Sequence, residues 1–291
     1  MKRRELLLTG ACACAAASIG SPALAAARDS AASTIRFGTT PVFLDDQDGF
    51  LARWAAYLSP AVGRTVQFVH RRSYRDIMGL LRSQELEAAW ICGFPWVVNK
   101  QDLRGLSIPL YEGAPLYRSY LIVPASDVRT RGHADLAGKV FAYSDPDSNS
   151  GCLVPRTTLM RGGINPDQHF SRTFFTWGHK NVVRAVGDGL ADGGSVDGYV
   201  WETLRRIAPA LVAKTRVAWR SSLYGFPPLA VRGSLDANTE ERLRAALFAM
   251  NGTPEGQALL DELNLTGFGP FRPEVFDSIA TLVAVAAGRA A

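Results

Sequence analysis

What the chain has little of narrows its function first. Past its first two dozen residues, no apolar run approaches the roughly 20 residues that a helix needs to cross a bilayer, so that part is not expected to span a membrane. Cysteine is scarce: Cys12, Cys14, Cys92 and Cys152 are the full set, too few for a disulfide framework. Histidine occurs only as His70, His133, His169 and His179. None of these stands at the two-histidine or histidine–cysteine spacing of a zinc site, so neither a metal nor a cofactor is expected. Lys/Arg runs interleaved with aromatics are missing, which argues against nucleic acid as a partner. No Gly-x-Ser-x-Gly turn exists to strain a nucleophilic serine, and there is no repeat of solenoid period.

What remains is ordinary globular composition. The chain has 291 residues, 47% hydrophobic and 20% charged, enough for two domains of usual size. Its formal charge of +5 is mild and suits a small anionic ligand. The first residues read as an export leader spanning 1–27. Lys2-Arg3-Arg4 supply the positive region, Leu6 to Ile19 the apolar region, and Ala23-Leu24-Ala25 a small-residue cleavage site. Cleavage is expected after Ala25 or Ala27, giving a periplasmic protein. Arg3-Arg4 ahead of Glu5-Leu6-Leu7 loosely resembles a twin-arginine signal, and Thr9 three positions before Cys12 weighs against a lipoprotein signal. Processing removes Cys12 and Cys14, leaving Cys92 and Cys152.

After a polar tail, Ala26 to Ser33, strands and helices alternate. Thr34 to Gly38 reads as a strand closing in Thr39-Thr40-Pro41. Asp45 to Val62 reads as a helix with Phe50, Leu51, Trp54, Ala55 and Leu58 on one face. A strand over Thr65 to Val69, a helix over Tyr74 to Arg82 and a strand over Leu86 to Ile91 follow, the last closing in Cys92-Gly93-Phe94-Pro95-Trp96. Further strands are expected at Leu106 to Tyr111 and Arg118 to Val123. This alternation predicts an α/β protein with mixed, mostly parallel sheets flanked by helices. Ligands of such sheets bind beyond the carboxyl ends of the strands, which makes Thr39, Thr40, Cys92, Phe94 and Trp96 candidate site residues. Beyond a polar linker, Pro124 to His133, a second set of strands is expected at Val140 to Tyr143, Arg172 to Thr176, Asp192 to Tyr199, Val217 to Arg220 and Leu229 to Val231. Helices at Asn238 to Met250, Pro254 to Leu263 and Val275 to Ala287 close the chain.

The most informative stretch is Asp145-Pro146-Asp147-Ser148-Asn149-Ser150-Gly151, between the strand at Val140 and the apolar-periodic run Cys152 to Met160. A helix start leaves about four N–H groups without intrahelical partners and carries roughly half a positive charge. Ser148, Asn149 and Ser150 add side-chain donors there, and Gly151 allows close approach to the backbone. Simple capping by one serine is the competing reading.

The order Asp135-Leu136-Ala137-Gly138-Lys139, Asp145 to Gly151, Gly178-His179 and Ala191-Asp192-Gly193-Gly194-Ser195-Val196-Asp197, behind a leader, resembles the phosphate/phosphonate-type periplasmic substrate-binding proteins of ABC transporters. The resemblance implies a two-lobed type II periplasmic-binding fold, with residues 32–122 plus 230–291 in lobe one and 123–229 in lobe two. It implies an anion cradle at Ser148, Asn149, Ser150 and Gly151, where Asn149 replaces the family's hydroxyl by an amide. It also implies an oxyanion contact at His179, an acidic contact to a ligand amine at Asp197, and aromatic walls at Phe94 or Trp96 and at Tyr199 or Trp201. The partners so implied are a small oxyanion and an ABC permease, with the protein acting as a monomer.

Two alternatives stay open. Some proteins resembling this family sense arsenite through a cleft cysteine and signal to a membrane histidine kinase; Cys92 would carry that role, with Cys152 a possible second sulfur. The same two cysteines can equally be small buried hydrophobes or, less readily, a disulfide locking the cleft. The other alternative is a hydrolase built on Ser148 or Ser150, His179 and Asp197, which the missing nucleophile turn disfavours.

Overall fold

A computed structural model describes residues 34–40 and 48–288. The leader with its cleavage sites, the tail to Ser33, Pro41 and the expected helix start at Asp45 lie outside the described residues. The chain begins with β1 (Thr34–Thr39), α1 (Asp48–Val62), β2 (Thr65–His70), α2 (Tyr74–Arg82), β3 (Ala88–Trp90), α3 (Gly93–Asn99) and β4 (Leu103–Leu110). It continues through β5 (Leu116–Tyr117), β6 (Ser119–Pro124), β7 (Val140–Tyr143), a π-helical turn (Asn149–Leu153) that runs into α4 (Val154–Arg161), α5 (Pro166–His169) and β8 (Arg172–Phe175). Then come α6 (His179–Gly187), β9 (Gly193–Asp197), α7 (Gly198–Ile207), α8 (Pro209–Val212), β10 (Thr215–Arg220), β11 (Tyr224–Gly225) and β12 (Leu229–Arg232). The last elements are α9 (Ala237–Ala249), α10 (Pro254–Leu263), β13 (Gly267–Pro270) and α11 (Asp277–Ala286).

Local patterning explains the elements that carry the site. In α1, Phe50, Trp54, Leu58 and Val62 recur every fourth residue and all are buried. Ser73 caps α2 by accepting from the Asp76 N–H, and Tyr74, Ile77, Met78 and Leu81 form its buried stripe. In β1, buried Ile35 and Phe37 flank exposed Arg36, the alternation of a strand with one covered face. Trp54 then stacks on Phe68 at 4.9 Å and meets Trp90 edge-on at 6.3 Å, tying α1 to the sheet.

Among the described residues the strands form a six-stranded sheet ordered β13-β4-β12-β3-β1-β2 and a five-stranded sheet ordered β10-β6-β9-β7-β8. β1–β3, β7–β9 and β7–β8 are parallel pairs. β12 runs antiparallel to both β3 and β4, β13 to β4, and β6 to both β9 and β10. The sheets are therefore more mixed than strand–helix alternation alone predicts. β12 returns from the second sheet and inserts beside β3, so it arrives pointing the opposite way. The chain passes between the sheets through β5 and again through β11, and these two segments pair, Tyr117 opposite Tyr224 and Leu116 opposite Gly225. One buried apolar cluster takes in residues of both sheets, among them Trp90, Ala142 and Val196, and a smaller one lies on the second sheet alone. Leu121, Val123, Leu136, Phe141, Tyr143, Leu159 and Phe170 cluster on the second, with Cys152 among them.

Candidate functional site

Five helices start directly after strands and bring their first residues together. These starts are Tyr74 after β2, Gly93 after β3, Asn149 after β7, His179 after β8 and Gly198 after β9. Thr39, opposite Trp90 in the register of β1 and β3, and the following Thr40 lie at the same sheet end as Cys92. The convergence is closed by polar contacts between elements of the two sheets. The Asn149 N–H donates to Cys92 Sγ at 3.3 Å, and Asn149 Nδ2 lies 2.9 Å from the Tyr117 hydroxyl. Tyr74 donates its N–H to Asp145 Oδ2 at 3.1 Å, and its hydroxyl lies 3.1 Å from His179 Nε2. Thr39, Thr40, Cys92, Ser148, Asn149, Ser150, His179 and Asp197 are all buried.

The hydrogen-bond directions at His179 follow from one fixed donor. The Asp197 N–H can only donate, and it points at Nδ1 from 3.1 Å, so the ring proton sits on Nε2 and is given to the Tyr74 oxygen. Tyr74 is thereby left with its own O–H to donate. The Asn149 N–H is held by a thiol, a weak acceptor that a charged oxygen would displace. Among the described residues, Thr40 Oγ1, Ser150 Oγ and Asn149 Oδ1 are buried without a hydrogen bond of good geometry. Unpaired buried polar atoms are costly and rare in folded proteins, and here two are hydroxyls at one sheet end or helix start. Turning the Asn149 amide over would let the Tyr117 O–H donate to Oδ1 and direct the NH₂ group inward.

Burial sets the charges. It pushes the His179 imidazole down to about 3, so the ring is neutral. It pushes the Asp197 carboxyl up to about 8, against the pull of the Val200 and Tyr199 N–H groups that Asp197 caps at the start of α7. Asp145 is likewise raised by burial. Burial lifts the Cys92 thiol to about 12, although the Asn149 and Phe94 N–H groups oppose it. Near neutral pH the convergence thus offers a neutral imidazole, a neutral thiol and the protonated Asp197 carboxyl beside N–H and O–H donors.

The candidate residues separate into those brought together and those placed elsewhere. Thr39, Thr40, Cys92, Ser148, Asn149, Ser150, His179 and Asp197 share the convergence. Thr39 Oγ1 lies 3.2 Å from His70 Nδ1, and Ser148 Oγ accepts from the Gly151 N–H at 3.0 Å, capping the helix. Gly151 meets the end of β7: a Cβ there would collide with Ser144 Oγ and come 2.7 Å from Ser144 Cβ. Trp96 packs edge-on against Phe271 at 4.7 Å and beside Phe276 at 6.2 Å, as part of the first sheet's core. Phe94 is half-buried against that core. Cys152 belongs to the apolar cluster of the second sheet, a different one from that of Cys92. Asp192 accepts from the Val140 N–H and serves the sheet. Sequence reasoning missed Tyr74, Tyr117 and Asp145 as site residues. Tyr74, as the first aromatic after a capping serine at a strand's carboxyl end, carried a signal; Tyr117 lies on a two-residue strand too short to show periodicity.

Comparison with known proteins agrees on one family. The family model described as "ABC transporter, phosphonate, periplasmic substrate-binding protein" matches residues 37–276. The "Phosphonates-binding periplasmic protein" of Escherichia coli (strain K12) is 26% identical over 238 residues, 78% of this chain and 69% of that protein. The "Phosphate-import protein PhnD" of Mycolicibacterium smegmatis is 25% identical over 206 residues, 67% of this chain and 64% of that protein, slightly under two thirds of its length. Among solved structures, the binding-protein component of an ABC phosphonate transporter from Pseudomonas aeruginosa superposes with a TM-score of 0.79 at 22% identity, covering 86% of this chain and 85% of that one. PhnD1 from Prochlorococcus marinus in complex with methylphosphonate does so at 0.78 and 18%, covering 89% and 99%.

Proposed function

The chain belongs to the periplasmic substrate-binding proteins of phosphonate ABC transporters and has their two-lobed type II fold; from that premise we propose that its buried site captures a small tetrahedral oxyanion, of the phosphonate, phosphate or phosphite kind, for an ABC permease. The observation that carries the reading is an Asn149 N–H held only by sulfur, at a convergence where the buried Thr40 and Ser150 hydroxyls lack a hydrogen bond of good geometry. An oxyanion satisfies all three and accepts from Tyr74 and Asp197 as well, in charge-assisted bonds stronger than neutral ones. The proposed lobes, 32–122 plus 230–291 and 123–229, would close about the β5–β11 ribbon in a monomer released by cleavage of the leader. Among the described residues no helix is long and apolar enough to cross a membrane.

Binding without turnover is part of the proposal. Both ring nitrogens of His179 are engaged, by Tyr74 and by the Asp197 N–H, and the Asp197 carboxyl caps α7 instead of orienting the imidazole. That leaves no base for Ser148 or Ser150. Calorimetry of the purified protein against phosphate, phosphite, methylphosphonate, sulfate and arsenite tests the reading. Saturable binding of a tetrahedral oxyanion in the micromolar range is expected, with no product from phosphoesters; absence of binding below the millimolar range overturns it. The contact between Cys92 and Asn149 supports a second reading, arsenite sensing relayed to a membrane kinase. The neutral thiol speaks against it, and arsenite binding lost in Cys92→Ser would favour it.

A further inference from the structure

Trp177 occupies a position that suits it poorly unless its ring has a use. Its φ is +59°, in the left-handed region that glycine adopts without cost and a bulky residue does not. Its indole is 48% exposed, touching Phe175 at 6.0 Å between ring centres. The segment is held firmly: the Thr176 N–H donates to Tyr143 O, Thr176 Oγ1 to Gly178 O, and Asn181 Nδ2 to Thr176 O. A turn from β8 into α6 needs the left-handed backbone, yet it does not need an indole.

The indole borders a cavity of about 470 Å³ lined by His70 and Arg72 from the first sheet's side and by Thr176, Trp177 and Asn181 from the second. One lining residue of this cavity contacts the convergence directly, and two others flank His179 in sequence. His70 touches Thr39 at 3.2 Å, and Thr176 and Asn181 bracket His179 in the chain. A ligand held by its oxyanion at Thr40, Asn149 and Tyr74 would have this cavity on the His70 side for a substituent. Its volume lies within the range of small-molecule pockets, far beyond what a methyl group needs. The indole of Trp177 and the guanidinium of Arg72, both lining this cavity, are groups that stack on flat rings.

We propose that this cavity is a second subsite that takes a planar aromatic substituent of a phosphonate or phosphate ester, with Trp177 and Arg72 as its specificity-determining residues. The inference rests on the oxyanion-binding reading above. The test compares methylphosphonate with phenylphosphonate by calorimetry on the wild type, Trp177→Gly and Arg72→Gln. Phenylphosphonate is expected to bind the wild type more tightly than methylphosphonate, and each variant to lose about fivefold or more of that preference. Binding of phenylphosphonate should also change tryptophan emission in the wild type and not in Trp177→Gly. Glycine fits the local backbone, so a thermal midpoint at or above that of the wild type is expected and separates lost stacking from misfolding. Methylphosphonate binding with no preference for the phenyl compound, or a preference unchanged in both variants, overturns the subsite alone. Binding of neither compound overturns the subsite, and if phosphate and phosphite also fail to bind, the oxyanion reading falls with it.

Discussion

At the scale of single residues, the unusual groups are a tyrosine with a hydroxyl left to donate and a carboxyl that keeps its proton. Tyr74→Phe removes one hydrogen bond to the oxyanion while leaving the ring in its buried seat. Affinity for phosphate or methylphosphonate should fall about tenfold, since a hydrogen bond to a charged partner contributes about 1.5–3 kcal/mol. Calorimetry showing unchanged affinity would remove Tyr74 from the site. Asp197 makes a pH prediction. Its folded pKa, about 8, lies above the ordinary carboxyl value of 3.8, so from about pH 4 to 8 the folded state holds a proton that the unfolded chain has lost. Its contribution to stability therefore falls as pH rises across that window and levels off above it. His179 acts in the other sense, because its folded value of about 3 lies below the ordinary 6.5; its contribution is lost as pH falls from 6.5 towards 3. Between pH 6.5 and 8 only the Asp197 effect operates of the two. Thermal melts of the unliganded protein should lose on the order of 1–2 kcal/mol there, and Asp197→Asn, which keeps the capping oxygen, should flatten the slope. An equal slope in the variant would show that another group titrates.

At the scale of elements, the helix start at Asp145 to Gly151 was legible because its grammar is local. Small polar residues and a glycine between a strand and an apolar-periodic run mark a helix start wherever it ends up in space. The partners of that start were not legible. Tyr74 meets His179 across 105 residues and Asn149 meets Cys92 across 57, and both distances are set by how the two sheets face each other. Trp96 stands at a strand end as a cleft aromatic would, yet Phe271 and Phe276 from the chain's far end claim its ring. Gly151 shows a local signal with a different cause: the space above it is filled by Ser144, so the end of β7 can seat on the helix start. Gly151→Ala should destabilise the fold by about 1–3 kcal/mol, the usual cost of overpacking, and weaken oxyanion binding by tilting the π-helical turn. Retained stability in a denaturant titration would mean that Ser144 moves aside freely.

At the scale of the whole molecule, the polar contacts that close the convergence are individually weak. Three are neutral hydrogen bonds, Tyr74–His179, Asn149–Tyr117 and the Asn149–Cys92 contact, each contributing about 1 kcal/mol or less, and a fourth runs from the Tyr74 N–H to Asp145 Oδ2. The Arg75–Asp147 ion pair, 3.4 Å long with an exposed arginine, adds about 0–1 kcal/mol. Set against them are the buried unpartnered hydroxyls, which oppose holding the two sides together. An oxyanion bound as proposed would reverse that balance, because it would bond to Thr40 and Tyr74 on one side and to Asn149, Ser150 and Asp197 on the other. Closure should therefore depend on the ligand. Small-angle scattering is expected to show a smaller radius of gyration with saturating methylphosphonate or phosphate than without. At a hundredfold excess over Kd the linkage adds about 2.7 kcal/mol, or about 5–10 °C in thermal midpoint for a chain of this size. A raised midpoint with an unchanged radius would mean that the site is preformed and the ribbon of β5 and β11 is no hinge, while an oxyanion still binds there.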